Sequence, residues 1–156
     1  MERSVRRSKT ILFVSIIVLL GFLREYLFKN INWVYLTLTT GRRNAARSEF
    51  YFLLEWDPST INILKFFLTL LFCGLFAVLT WVVINHLFKN RTYNKIVFIS
   101  FGVLIGIALI FQGINYFFDS FLIYGIVRTL MGYAQSFIPL LILGLTFYFI
   151  PKVQNK

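Results

Sequence analysis

The chain has one cysteine and one histidine, so a thiol nucleophile with a histidine base would have to use Cys73 and His86. The two lie 13 positions apart in one apolar segment, which corresponds to about 20 Å along a helix. A nucleophile and its base must approach to about 3 Å. The spacing therefore excludes a thiol hydrolase or transpeptidase unless this helix breaks, and Cys73 is better interpreted as a small buried apolar residue.

Polar residues that interrupt the apolar segments form the second group that could do chemistry. Ionisable residues at membrane depth usually face a bundle interior or a wet cavity, and we expect these, with Lys65 and Gln135 beside them, in the outer half of the bilayer. Guanidinium groups of a folded-over loop would suit phosphate or carboxylate. The predicted outward-facing pocket consists of Arg24, Glu25, Arg42, Arg43, Arg47, Gln112, Asn115, Asp119 and Arg128.

A structural interpretation of the same residues stays open. Arg24, Glu25, Asp119 and Arg128 are two bases and two acids that could pair to hold helix ends together. The spacings of zinc, Walker and dinucleotide motifs are missing. We therefore assign no catalytic residue, metal ligand or cofactor.

The composition indicates which solvent these residues meet. Hydrophobic residues make up 58% of the 156 positions, charged residues only 14%, and mean hydropathy is +0.76. Soluble domains carry about 25% charged residues. With 3 Pro, 9 Gly and 1 Cys, the chain is also unlike disordered, collagen-like or disulfide-framework sequences. We conclude that it is a membrane protein.

The apolar segments predict an all-α integral membrane protein, a single domain over residues 1–156. A spanning helix needs about 20 apolar residues. The predicted fold is a compact bundle of four transmembrane helices, with a kink at Pro139 in the fourth, plus one short interfacial amphipathic helix. The predicted spans are 11–28, 61–88, 96–118 and 131–150, with an outer loop over 29–60.

The outer loop carries too many rings for a solvated loop, and such rings favour the headgroup level. Asn44 is predicted to cap a helix from Ala45 to Trp56, with Ala46, Phe50, Leu53 and Leu54 as its apolar stripe. Asp57 and Pro58 then begin the second long helix as N-cap and first residue, and this helix is predicted to end near Phe88.

Small residues predict where helices meet. Cys73 and Ala77 lie on one side of the second helix, and Gly102, Gly106 and Gly113 lie on one side of the third. Such faces let helices approach closely, either within the bundle or between copies. The bilayer midplane is predicted at the level of Val14, Cys73, Gly106 and Leu141, where no carboxylate lies.

Charge predicts the orientation. The two termini and the loop 89–95 share nine of the 16 basic residues and one of the six acids, while the other side holds seven bases and five acids. By the positive-inside rule both termini are cytoplasmic, in a plasma or inner membrane with anionic headgroups on that side. The basic residues flank the spans, so nucleic-acid binding is not expected.

Three functions remain open. The favoured one is a non-catalytic subunit or assembly factor of a membrane complex, with another membrane protein or a second copy as partner. A small transporter or channel is the second. The third is an outer-leaflet enzyme on a lipid-linked or phosphorylated substrate, in which Arg42, Arg43, Arg47 and Arg128 clamp an anion and Glu25 or Asp119 acts as base.

Overall fold

The fold consists of helices and short connections, without a strand, over the residues that the computed structural model describes. These residues are 2–118 and 121–154, the side chains of 2–9, 115, 116, 121, 124 and 150–154 excepted. Three of these helices are long and apolar enough to cross a membrane, and a fourth crossing is possible if one bent pair counts as a single span. The chain is thus compatible with a multi-pass membrane protein. Its helices are α1 (Glu2–Thr40), a 3-10 helix (Ser48–Glu55), α2 (Pro58–Phe88), α3 (Arg91–Phe118), α4 (Phe121–Ala134) and α5 (Ile138–Gln154).

Helix α2 is the central element, because α1, α3, α4 and α5 all pack against it. It begins and ends where the sequence predicts, at Pro58 and Phe88. Asp57 occupies the N-cap position with an extended backbone, but its side chain makes no capping hydrogen bond. Lys89 ends the helix in the left-handed region, with φ of 50°, and its N–H donates to the Asn85 carbonyl.

Helix α1 is longer than predicted. It continues through Lys29, where the outer loop was expected to begin, and ends only at Thr40, before Gly41 with φ of +66°. The extra turns bury Ile31 and Val34 against the returning chain. Apolar side chains at i and i+3 thus continue the helix beyond the most hydrophobic stretch.

The predicted α-helix from Ala45 to Trp56 is wrong. The Asn44 side-chain oxygen accepts from the Ala46 N–H, the backbone is extended at Arg47, and an eight-residue 3-10 helix follows. The predicted apolar stripe does face the protein, since Phe50 and Leu53 are buried beneath this helix. The spacing of apolar side chains therefore decides which face is buried. The connection from α1 to α2 forms a 3-10 helix rather than an α-helix, as is common for short connecting helices.

The predicted kink at Pro139 is replaced by a break three residues long. Helices α4 and α5 meet at a 60° bend at residues 135–137. Ile138 donates its N–H to the Ser136 hydroxyl, and Pro139 lies in the first turn of α5, where a missing N–H is harmless. The break therefore precedes the proline.

Two apolar clusters hold the bundle together. One joins α1, α2, α3 and α5 and includes Ile17, Phe76, Val97 and Phe147. The other joins α1, the 3-10 helix and the start of α2. We call the end of the bundle beside the 3-10 helix the loop end, and the opposite one the Lys89 end.

The Lys89 end also receives the first and last helices. Phe13 of α1 contacts His86, with ring centroids 6.5 Å apart, and Phe147 of α5 contacts Phe88 at 6.0 Å. Helices α4 and α5 together therefore pass from the end of α3 to the end of α2.

Candidate functional site

Gln135 lies at the centre of the polar residues that the fold brings together. It is 2% exposed and occupies the break between α4 and α5. Its side-chain oxygen accepts from Arg24 Nε at 2.9 Å, and its nitrogen donates to the Thr69 carbonyl at 3.0 Å and lies 3.5 Å from Cys73 Sγ. One amide thus links α1, α2 and the helix break.

This network lies level with the middle of α2. Cys73 is the middle residue of that 31-residue helix. On α1, Phe28 contacts Phe72 with ring centroids 6.1 Å apart, and Arg24 is one helical turn away, bonded to Gln135. Arg24 and Gln135 are therefore level with each other, and their predicted place in the outer half of a bilayer stays a prediction.

The prediction that Val14 and Cys73 lie at the same level along the bundle is wrong. Phe13, the preceding residue, lies beside His86 at the Lys89 end. The reason is the length of α1. Because this helix continues to Thr40, the residue level with Cys73 is Arg24, ten positions further along α1 than Val14. Hydropathy locates an apolar segment but does not set its register against a neighbour.

Three basic side chains surround this network on its loop side. The Arg24 guanidinium lies over the Phe28 ring, 5.1 Å from the centroid, and the Lys65 ammonium lies over Tyr35 at 4.6 Å. Gln135 is bonded to Arg24 and to the Thr69 carbonyl, and Lys65 lies one helical turn before Thr69 on α2 while Arg128 lies two turns before Gln135 on α4, both toward the loop end. Arg24, Lys65 and Arg128, which we call the basic cluster, therefore come from three different helices.

Glu25 lies apart from this cluster although it follows Arg24 in sequence. Arg24 is half-buried toward the bundle, whereas Glu25 is exposed on the outer face of α1. The two residues are about 100° apart around the helix axis. The hydrogen bond of Arg24 goes to the amide of Gln135 rather than to a carboxylate.

The arginines of the loop are placed elsewhere. Arg47 packs its guanidinium over Tyr26, 5.6 Å from the ring centroid, and donates its backbone N–H to the Asn30 side chain at 2.9 Å. Arg42 and Arg43 are exposed. These three residues therefore line the α1 side of the loop end and do not extend the basic cluster.

The remaining predicted pocket residues come from α3 and the turn after it. Gln112 is exposed. The Asn115 side chain and the whole of Asp119 lie outside the part of the chain that the structure describes. The predicted acid–base pairing through Asp119 therefore stays a prediction.

Asn30 is a buried polar residue that sequence analysis did not single out. It is 5% exposed, donates to the Tyr26 carbonyl at 2.8 Å and accepts from Arg47 N–H, so it attaches the loop to α1. Because the outer loop was predicted to begin at Lys29, Asn30 was expected in a loop rather than in a helix. The signal was present, because Ile31 and Val34 continue the helical spacing around it.

The predicted packing residues divide into two groups. Cys73 is 1% exposed and Ala77 is 8% exposed, both within the core. A side chain added at Gly102, Gly106 or Gly113 would meet no atom within 4 Å in the structure. The glycine face of α3 is therefore open within the chain, and its contact with a second chain stays a proposal.

The site offers hydrogen-bond donors and positive charge. Within the described residues, no group of three histidines, cysteines or carboxylates is placed to hold a metal ion. Comparisons with known protein families, with curated proteins and with solved structures gave no match. The function must therefore be argued from the geometry of this chain.

Proposed function

We propose that this protein is a non-catalytic subunit or assembly factor of a membrane complex and that the outer face of α1 contacts its partner. The observation that carries the proposal is Glu25. It is an exposed carboxylate on the side of α1 that faces away from the bundle, level with the middle of α2.

The surroundings of Glu25 make it unusual. On the exposed face of α1, Glu25 lies between Phe22, one turn before it and 68% exposed, and Lys29, one turn after it and also exposed. Leu19, further back along the helix, is 66% exposed, and lipid would cover Phe22 and Leu19. Only 6% of the apolar window of α1 is buried, against 39% for α2. A carboxylate facing hydrocarbon at mid-depth costs about 2.5–3.5 kcal/mol. A partner helix that brings a basic or hydrogen-bond-donating residue to this depth removes that cost.

The proposed orientation places both termini and Lys89 in the cytosol of a plasma or inner membrane, as the positive-inside rule predicts. In a Cys73→Ala background, an impermeant thiol reagent on intact cells should label Asn44→Cys and spare Thr92→Cys. The reverse labelling would invert the topology.

Crosslinking tests the partner directly. A photoreactive residue at Phe22 should crosslink a second membrane protein in fixed ratio in native membranes, whereas the same residue at Ile99, exposed on α3, serves as the control site. Glu25→Leu should abolish the crosslink while the purified chain stays folded, because leucine suits lipid. Recovery of the uncrosslinked chain alone, or an adduct unaffected by Glu25→Leu, would contradict the proposal.

A carrier is the second candidate, because one observation favours it. Secondary transporters often place substrate sites near the midplane at interrupted helices, and here the α4–α5 break carries Gln135 bonded to Arg24. Solute flux in proteoliposomes that falls with Gln135→Met and persists with Glu25→Leu would favour this function over a subunit role.

A further inference from the structure

The basic cluster lies on a part of the surface that the bundle leaves open. Helices α1 and α4 each pack on α2 but make at most sparse contact with one another. Arg24 and Lys65 are half-buried, and Arg128 is exposed. The three cations thus occupy neighbouring levels of α1, α2 and α4, from the middle of α2 toward its loop end, where α1 and α4 separate.

Charge at this place is not balanced by the described side chains around it. Lys65 has the ring of Tyr35 beneath it rather than a carboxylate. Glu25, which follows Arg24 in sequence, lies about 100° further around α1 on the exposed face, and the hydrogen bond of Arg24 goes to the Gln135 amide. Like charges held together at low dielectric are costly, so the cluster favours an added anion.

Hydrogen-bonding capacity also remains. The bond from Arg24 to Gln135 uses one of the five N–H donors of a guanidinium. The same bond fixes the direction of the side chain, since Gln135 is itself held by the Thr69 carbonyl on α2. The Arg24 side chain is therefore held in one direction while most of its N–H donors stay available for an anion, as a preorganised site requires.

We propose that Arg24, Lys65 and Arg128 bind a phosphoryl group. Its non-bridging oxygens suit two guanidinium forks and one ammonium point charge better than a single carboxylate does. In the proposed orientation the cluster lies toward the outer leaflet, so a phospholipid headgroup and a soluble phosphate share the required chemistry. Gln135 is a positioning residue for Arg24.

Lipid binding to the purified full-length chain in neutral detergent tests this proposal. Native mass spectrometry should detect phosphatidylglycerol bound more tightly than diacylglycerol with the same acyl chains. Arg128→Gln and Lys65→Gln should each weaken the phospholipid affinity about tenfold, because each removes a charge-assisted bond. Arg42→Gln, which removes an exposed basic residue of the loop, is the matched control and should leave it unchanged.

Inorganic phosphate separates the two sources. If millimolar phosphate raises the melting temperature of the wild type but not of Arg128→Gln, and phosphatidylglycerol has no preference, the ligand is a soluble phosphoryl compound. Equal phospholipid affinity in Arg128→Gln and wild type, without a phosphate effect, would overturn the proposal. Loss of the Phe22 crosslink on Arg128→Gln with neither phosphate effect would assign the cluster to a partner's carboxylate and likewise overturn it.

Discussion

The two ends of the bundle are stabilised by different forces. At the Lys89 end, Tyr93 stacks on Phe147 with ring centroids 4.2 Å apart, and Phe88 meets both rings edge-on. Toward the loop end, a second apolar cluster is supplemented by polar contacts, namely the bond between Arg24 and the Gln135 amide and the bond between Asn30 and the loop backbone. The Lys89 end is therefore held by ring packing, whereas the loop half combines apolar packing with directional polar contacts.

This difference separates stability from function. The packed rings at the Lys89 end interact through dispersion, so their packing leaves no hydrogen-bond donor or charge unpaired. The loop half holds the three cations Arg24, Lys65 and Arg128, and the contacts described for Arg24 and Lys65 are with an amide and with aromatic rings rather than with carboxylates. Binding is consequently expected in the loop half, and the largest losses of folding free energy are expected at the Lys89 end.

Phe147→Ala should cause the largest change. Phe147 is 1% exposed and contacts both Phe88 and Tyr93, and removing such a core ring costs about 3 kcal/mol or more. Thermal unfolding in detergent measures the loss. Phe149→Ala, on the same helix but 54% exposed, should change stability by less than about 0.5 kcal/mol. Equal effects would show that the ring cluster does not hold this end.

Gln135→Met should have the next largest effect. Methionine keeps the volume but loses the bonds to Arg24 and to the Thr69 carbonyl, which leaves the half-buried Arg24 guanidinium without this partner at a cost of about 1–3 kcal/mol. Gln112→Met, at an exposed glutamine of α3, is the control. If both variants unfold at the wild-type temperature, the Gln135 amide does not stabilise the loop half of the bundle.

Asn30→Ala should act locally at the loop end. It removes the bond to Arg47 N–H and should destabilise the attachment of the loop by about 1 kcal/mol. Limited proteolysis at Arg42 and Arg43 should then accelerate several-fold. Asn32→Ala, two residues further along α1, should leave the cleavage rate unchanged.

Gly102→Ala should produce the smallest change, because the added methyl group meets no atom of the chain within 4 Å. Unfolding of the isolated protein should change by less than about 1 kcal/mol, toward greater stability. A marked loss of the Phe22 crosslink in membranes, with folding intact, would show that this face of α3 contacts a second chain. The comparison of the two ends would then need a third region, the glycine face of α3.

Sequence analysis predicted the elements better than their arrangement. The bounds of α2 were correct because local signals determine them: a proline at the first position, a long apolar run and a basic turn after Phe88. The predicted stripe at Phe50 and Leu53 is likewise buried, since side-chain spacing decides which face turns inward. The candidate pocket stays a prediction: the structure places Arg24 and Arg128 on neighbouring helices on one side of the bundle, whereas Arg47 packs against Tyr26 of α1.

By itself, the sequence determined a chain of long apolar helices and where α2 begins and ends, because hydropathy and capping act between near neighbours. Only the tertiary structure decided that α1 continues to Thr40, that α4 and α5 are separated by a break at Gln135, and that Arg24 lies level with Cys73. Those features depend on the register between helices, which is set by side chains from distant parts of the chain packing together.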